Sequence, residues 1–158
     1  MTVALDGGPL TLEDVEGVAR QRRPVTLAPA AVERLRAGRA FVDRLAAGAE
    51  PIYGITTGVG KLKDVVIPPT ERAALQRNLV LSHAAGVGTP LPLPVVRAIM
   101  LLRANVLLRA TSGVRLELVT ALVALLNAGV APLVPEQGSV GASGDLAPLS
   151  HIALALMG

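Results

Sequence analysis

Gly138-Ser-Val-Gly-Ala-Ser-Gly-Asp145-Leu-Ala-Pro-Leu-Ser-His-Ile-Ala-Leu-Ala-Leu-Met-Gly158 passes from small residues into an apolar run, and its reading decides the architecture of this 158-residue chain. Asp145 before Leu146-Ala-Pro148 reads as a helix start, with the acid at the N-cap and the proline tolerated in the first turn. The glycine-rich half is then a loop standing on the positive end of that helix. Within it, Ala142-Ser143-Gly144 has the parts needed to condense with its own backbone. Attack of the Gly144 nitrogen on the Ala142 carbonyl carbon closes a five-membered imidazolone ring, and departure of the Ser143 hydroxyl as water leaves an exocyclic methylidene. Gly144 offers an unhindered nitrogen and wide φ/ψ freedom, Ala142 adds no bulk, and Ser143 carries the departing oxygen. The product is an electrophile made from protein alone. Backbone N–H groups at the helix start stabilise negative charge that builds on such a ring when a nucleophile adds.

The same residues have rival readings. Ser143, Asp145 and His151 supply a nucleophile, an orienting acid and a base, but a nucleophile elbow requires Gly-x-Ser-x-Gly after a strand, and Asp145 stands where the second glycine belongs. An isolated Ala-Ser-Gly is otherwise an ordinary flexible turn, so its meaning depends on the rest of the chain.

Two further stretches bear on it. Pro51-Ile-Tyr53-Gly-Ile-Thr-Thr-Gly-Val-Gly60 holds the single tyrosine among glycines and threonines. Glycines at this density weaken helices and strands, so the stretch is a loop, and loops on rigid scaffolds carry function disproportionately. It fails as a phosphate loop, because Ile55 occupies the place of the first Walker glycine and Leu62 follows Gly60-Lys61. Farther on, Asn78-Leu-Val-Leu-Ser82-His83-Ala-Ala-Gly86-Val-Gly88 carries a helical pattern through Leu75 and Leu79 into glycines, with His83 near its end. Read alone, that histidine is a surface or C-terminal capping residue.

In this order the three stretches resemble the aromatic amino acid ammonia-lyases, and the resemblance extends over the whole chain. It implies that Ala142, Ser143 and Gly144 mature autocatalytically into 4-methylidene-imidazol-5-one (MIO), with no external cofactor, and that Asp145 supports ring formation besides capping its helix. It implies further that Tyr53 is an active-site acid/base group and that His83 lies at the substrate ring. A phenol acts as a base near neutrality only where cations, dipoles or hydrogen bonds assist it. Phenylalanine-selective members place an apolar residue at the His83 point and tyrosine-selective ones use histidine in a different local string, so Ser82-His83 resembles the members whose substrate is L-histidine. The implied activity is non-oxidative deamination of L-histidine to urocanate and ammonia; another MIO enzyme, a tyrosine or phenylalanine ammonia-lyase or an aminomutase, is the alternative. The implied fold is mainly α and aspartase/fumarase-like, with residues 1–158 as a single N-terminal, MIO-bearing domain that stops before the central helical bundle. Members of the family assemble as homotetramers whose neighbouring subunits complete the active sites. These residues alone are therefore expected to be inactive, which leaves an isolated non-catalytic fragment as the other functional class.

Composition is consistent with this reading. The absence of cysteine removes disulfide, thiolate and Cys-zinc chemistry, and two histidines without clustered carboxylates argue against a metal centre. Net charge is +3, from fifteen basic and twelve acidic residues, with arginines scattered from Arg20 to Arg115 rather than gathered in a stripe. Only Phe41 and Tyr53 offer rings to stack on bases, so no nucleic-acid partner is expected. The apolar run from Leu116 to Val134 is interrupted by Glu117, Thr120, Asn127 and Gly129 and ended by Pro132 and Pro135, which suits a buried helix rather than a membrane span. The N-terminus lacks a charged n-region and an apolar h-region, so the expected location is the cytoplasm.

Helical signals dominate elsewhere. Thr11-Leu-Glu-Asp14 reads as a capping box, and Val32, Leu35, Val42 and Leu45 recur at helical spacing up to Gly48. Short strands are expected at Val3 to Leu5 and Val25 to Leu27. Helices are expected near residues 70–84, 92–110, 115–127 and 145–157. Three of these are more apolar than so short a chain needs, so they are expected to pack on further helices of the same or other chains.

Overall fold

The computed structural model describes residues 2–141 and 144–158; Ala142 and Ser143 lie outside the described residues. The chain opens with β1 (Val3–Leu5), α1 (Leu12–Ala19), β2 (Val25–Leu27) and α2 (Pro29–Ala47). After a loop containing one 3₁₀ turn come α3 (Pro69–His83), β3 (Val87–Pro90), α4 (Leu93–Leu107) and α5 (Leu116–Asn127), and β4 (Pro135–Gln137) leads to α6 (Leu146–Met157). The fold is mainly α, as expected, with strands of only three or four residues. The helix starts follow from local chemistry. The Thr11 hydroxyl accepts the Asp14 N–H at 3.1 Å while the Asp14 carboxylate accepts the Thr11 N–H at 3.2 Å, completing the capping box. Neither α2, α3 nor α4 has a side-chain cap, and each begins with proline in its first turn, where no donor is lost.

The core forms where α4 packs against α1 and α5, with β2, α2 and α6 also reaching α5. Leu35, Met100, Leu101, Leu108, Val119, Leu122 and Leu126 are fully enclosed there. So is Arg97, only 1% exposed. Its guanidinium donates to the Val18 carbonyl at 2.8 and 3.2 Å and to the Leu126 carbonyl at 2.9 Å, so one cation closes the C-terminal ends of α1 and α5. Burial, followed by the nearby Arg22 charge, lowers the pKa of Arg97 from its ordinary value.

β1 and β2 pair in parallel, with Val3 opposite Val25 and Leu5 opposite Leu27. Two side-chain amides extend this small ribbon. Asn127 accepts the Val25 N–H at 2.8 Å and donates to the Val25 carbonyl at 2.9 Å, and Asn105 accepts from Gly7 N and donates to Gly8 O. β3 and β4, which composition did not signal, pair antiparallel with Val87 opposite Gln137. Leu102 and Val106 on α4, Leu118 on α5, and Leu146 and Met157 on α6 remain exposed. No helix among the described residues is long and apolar enough to cross a membrane.

Candidate active site

The β3–β4 pairing builds the site. Because Val87 faces Gln137, the residues just outside the ribbon, Gly86 and Gly138, are forced together. A Cβ on Gly138 would lie 3.0 Å from the Gly86 Cα and 3.2 Å from the Ala147 Cβ, and Gly138 has φ +143°, a value that side chains rarely adopt. The end of α3, which carries His83, is thereby fixed beside the loop that carries Gly144. Helices α3 and α6 also pack on each other.

The 51–67 loop closes the third side. The Ile52 carbonyl accepts the N–H groups of Ile55, Thr56 and Thr57, and the buried Thr56 hydroxyl accepts Ile52 N at 2.7 Å while donating to Glu50 O at 2.5 Å. Thr57 pairs with Val66 and Ile67 N donates to Thr56 O, so the loop folds back on itself. This rigid base holds Tyr53 outward, 64% exposed, with the Gly60 N–H directed at its hydroxyl oxygen from 3.4 Å.

Tyr53, Val59 and Gly60 from the loop, Leu79, Val80 and His83 from α3, and Leu146 and Ser150 from α6 line one cleft of about 610 Å³. An adjoining cleft of about 300 Å³ runs from Ser82, His83 and Ala85 to Gly138, Val140, Gly144, Leu146 and Ala147. His83 and Leu146 belong to both. The three sequence stretches, far apart along the chain, therefore converge on one connected space. Ala142 and Ser143 lie outside the described residues; their neighbour Gly144 has φ +115°, and among the described residues nothing lies within 4 Å of where a Cβ would sit.

His83 retains the capping role expected of a helix-end histidine. Its Nδ1 lies 2.7 Å from the Leu79 carbonyl, and the Ser82 hydroxyl donates to the same oxygen at 3.0 Å. A carbonyl only accepts, so Nδ1 carries the proton and Nε2 of the neutral ring is left as an acceptor. Asp145 occupies the N-cap position of α6, as read, but its side chain makes no capping bond. Its φ −89° and ψ +71° depart from the extended geometry of a side-chain cap, and its carboxylate instead accepts the Ser139 hydroxyl. The Asp145 carbonyl still accepts Leu149 N at 3.2 Å, opening the helix.

His151 was legible only as the base of a hydrolase triad, and the structure gives it other work. Its Nε2 accepts the Gly86 N–H at 3.1 Å, while Asp145 is taken up by Ser139, so the two are not joined to each other. No cluster of three or more potential metal ligands occurs among the described residues.

A mainly helical scaffold that brings Tyr53, the helix-end His83 and Gly144 to adjoining clefts has known counterparts. Residues 10–158 match the family described as aromatic amino acid lyase, and the chain belongs to that family. Histidine ammonia-lyase of Anaeromyxobacter sp. (strain K) is 58% identical over 157 residues, covering 99% of this chain and 31% of that relative. Among solved structures, ergothionase from Treponema denticola, an ergothioneine-degrading enzyme in complex with desmethyl-ergothioneine sulfonic acid, superposes with a TM-score of 0.96 at 40% identity, over 100% of this chain and 32% of its own. Histidine ammonia-lyase from Trypanosoma cruzi superposes with a TM-score of 0.90 at 41% identity, over 100% of this chain and 30% of its own. The chain thus spans about a third of the length of the curated relatives it matches.

Proposed function

We propose that these residues are the N-terminal, MIO-bearing domain of a histidine ammonia-lyase that converts L-histidine to urocanate and ammonia. The observation that carries this reading is the convergence of Tyr53, His83 and Gly144 on connected clefts, in a chain 58% identical to a histidine ammonia-lyase. An MIO group formed from Ala142, Ser143 and Gly144 supplies an electrophilic carbon for the substrate amine.

The chain's own residues then divide the remaining work. His83, held by Leu79, offers Nε2 to the N–H of the substrate imidazole, so a phenyl ring in its place leaves that acceptor unpaired. Leu79, Val80 and Leu146 enclose the apolar part of the ring. Tyr53 is the proton-transfer group: elimination breaks the Cα–N bond as the β-proton leaves to a base, and Tyr53 lines the cleft in which that proton is released. The reading extends to a cytoplasmic homotetramer in which the remainder of the polypeptide and neighbouring subunits cover the exposed apolar faces of α4, α5 and α6.

The test is a substrate panel on the full-length protein. Histidine should exceed tyrosine and phenylalanine in kcat/KM by at least about 100-fold, the discrimination that an unpaired buried polar group supports. Faster turnover of tyrosine or phenylalanine, or an aminomutase product, overturns it.

A further inference from the structure

We infer that His151 is a positioning residue of this site, one that sets the spacing between the His83 end of α3 and the Gly144 loop by accepting the Gly86 N–H. The inference rests on the proposed deamination of histidine and concerns a residue that reading assigns no part.

His151 lies one and a half turns into α6, the helix whose N-terminus receives the tripeptide loop. Its partner Gly86 lies three residues beyond His83, where α3 has ended and β3 has not begun. The bond spans 65 positions of sequence and is partly shielded from water. Because a backbone N–H only donates, Nε2 must hold a lone pair, which places the proton of the neutral ring on Nδ1. The two histidines of the site are therefore fixed by backbone groups in the same Nδ1–H tautomer but put Nε2 to different use: His83 gives its Nδ1 proton to a carbonyl and leaves Nε2 free, while His151 spends Nε2 on an amide. One faces the cleft; the other joins the walls.

Packing at the junction explains why an acceptor is needed there. A Cβ on Gly86 would come within 3.0 Å of His151 Nε2 and 3.3 Å of the Gln137 carbonyl, and one on Gly138 within 3.0 Å of the Gly86 Cα. Helix, ribbon and loop meet with no room for a side chain at either glycine. The Gly86 N–H has no backbone partner in the β3–β4 ladder, whose pairing begins at Val87. Without His151 it is left unpaired, and the end of α3 is free to shift from α6. A substrate held at its ring by His83 and at its amine by the tripeptide spans that gap, and a misplacement of about 1 Å costs up to roughly 100-fold in rate.

The experiment compares His151→Phe, which keeps a flat ring but has no acceptor, with His151→Gln, whose Oε1 reaches the Nε2 position, in the full-length protein. His151→Phe should lower kcat/KM for histidine by about 10- to 100-fold, chiefly through kcat, with the ultraviolet absorbance of the mature electrophile retained. His151→Gln should recover most of the loss. Amide hydrogen exchange gives a readout independent of activity: Gly86 should be protected in the parent and in His151→Gln and exchange freely in His151→Phe. Parent-like kcat/KM in His151→Phe, equal losses in both variants, or fast exchange of Gly86 in the parent each overturn the inference. A parent that fails to deaminate histidine while the Gly86 protection pattern holds would instead sink the substrate assignment and leave the staple standing.

Discussion

Replacing Gly138 with alanine separates the geometry of the site from its chemistry, because Gly138 contributes no functional group. The new methyl meets two penalties. At φ +143° an L side chain is strained by about 1–2 kcal/mol. The methyl would also lie 3.0 Å from the Gly86 Cα and 3.2 Å from the Ala147 Cβ, backbone and core contacts that cannot rotate away, and such overpacking costs about 1–3 kcal/mol. The sum, about 2–5 kcal/mol, is relieved only if the α3 end and the loop move apart by a few tenths of an ångström or more, the displacement to which a substrate spanning both is sensitive. Gly129→Ala is the control. Gly129 has φ +73° but its nearest neighbour across space is 3.5 Å away, so only the strain applies and the site is untouched. Thermal unfolding and kcat/KM for histidine, measured on both variants of the full-length protein, should show Gly138→Ala with the larger loss of Tm and at least a tenfold fall in kcat/KM, while Gly129→Ala keeps parent activity. Equal effects of the two substitutions, or full activity in Gly138→Ala, would refute the argument that the Gly86–Gly138 contact sets the site.

Ser143→Ala should leave the fold intact and abolish both the ultraviolet absorbance and the turnover of the full-length enzyme, since no oxygen remains to depart as water; circular dichroism with a urocanate assay checks it. Arg97→Met should cost about 3–5 kcal/mol, because the Val18 and Leu126 carbonyls lose a buried cation and gain nothing, and Arg97→Lys should recover only part, as an ammonium lacks the fork; denaturant midpoints decide it. Residues 1–158 expressed alone should retain an uncyclised Ala142-Ser143-Gly144, since the strained approach of Gly144 to Ala142 persists only where surrounding structure enforces it. Intact mass lacking two waters would contradict this.

What the sequence discloses divides along physical lines. Helices announce themselves through periodicity and caps, so the start read at Thr11-Leu-Glu-Asp14 and the helix expected at 115–127 fell within a residue of what is observed. The β3–β4 ribbon was invisible because glycine and proline interrupt Val87-Gly-Thr-Pro90 and Pro135-Glu-Gln137 holds no strand-favouring residue; their pairing is imposed by the packing around them. Motifs located Tyr53, His83 and the tripeptide, and Asp145 at its helix start. They did not disclose that the Asp145 carboxylate turns to Ser139, nor that His151 reaches Gly86, because both depend on loop geometry and a contact across 65 residues. A histidine on a helix apolar but for the adjacent Ser150 was the available signal of an internal acceptor.

The asparagine amides that complete the β1–β2 ribbon impose an order on synthesis. Asn105 binds the Gly7 and Gly8 backbone across 98 and 97 positions, and Asn127 binds Val25 across 102. At about 5–20 residues per second, the ribosome needs roughly 5–20 s between making Val25 and making the amide that secures it. The first segment to emerge is thus among the last to be fastened, and during that interval its strand edges are open to any other nascent chain nearby. Slowing translation between Val25 and Asn127 lengthens that exposure, so the codons of this interval, which encode none of Ala142, Ser143 and Gly144, bear on how much of the protein survives to mature.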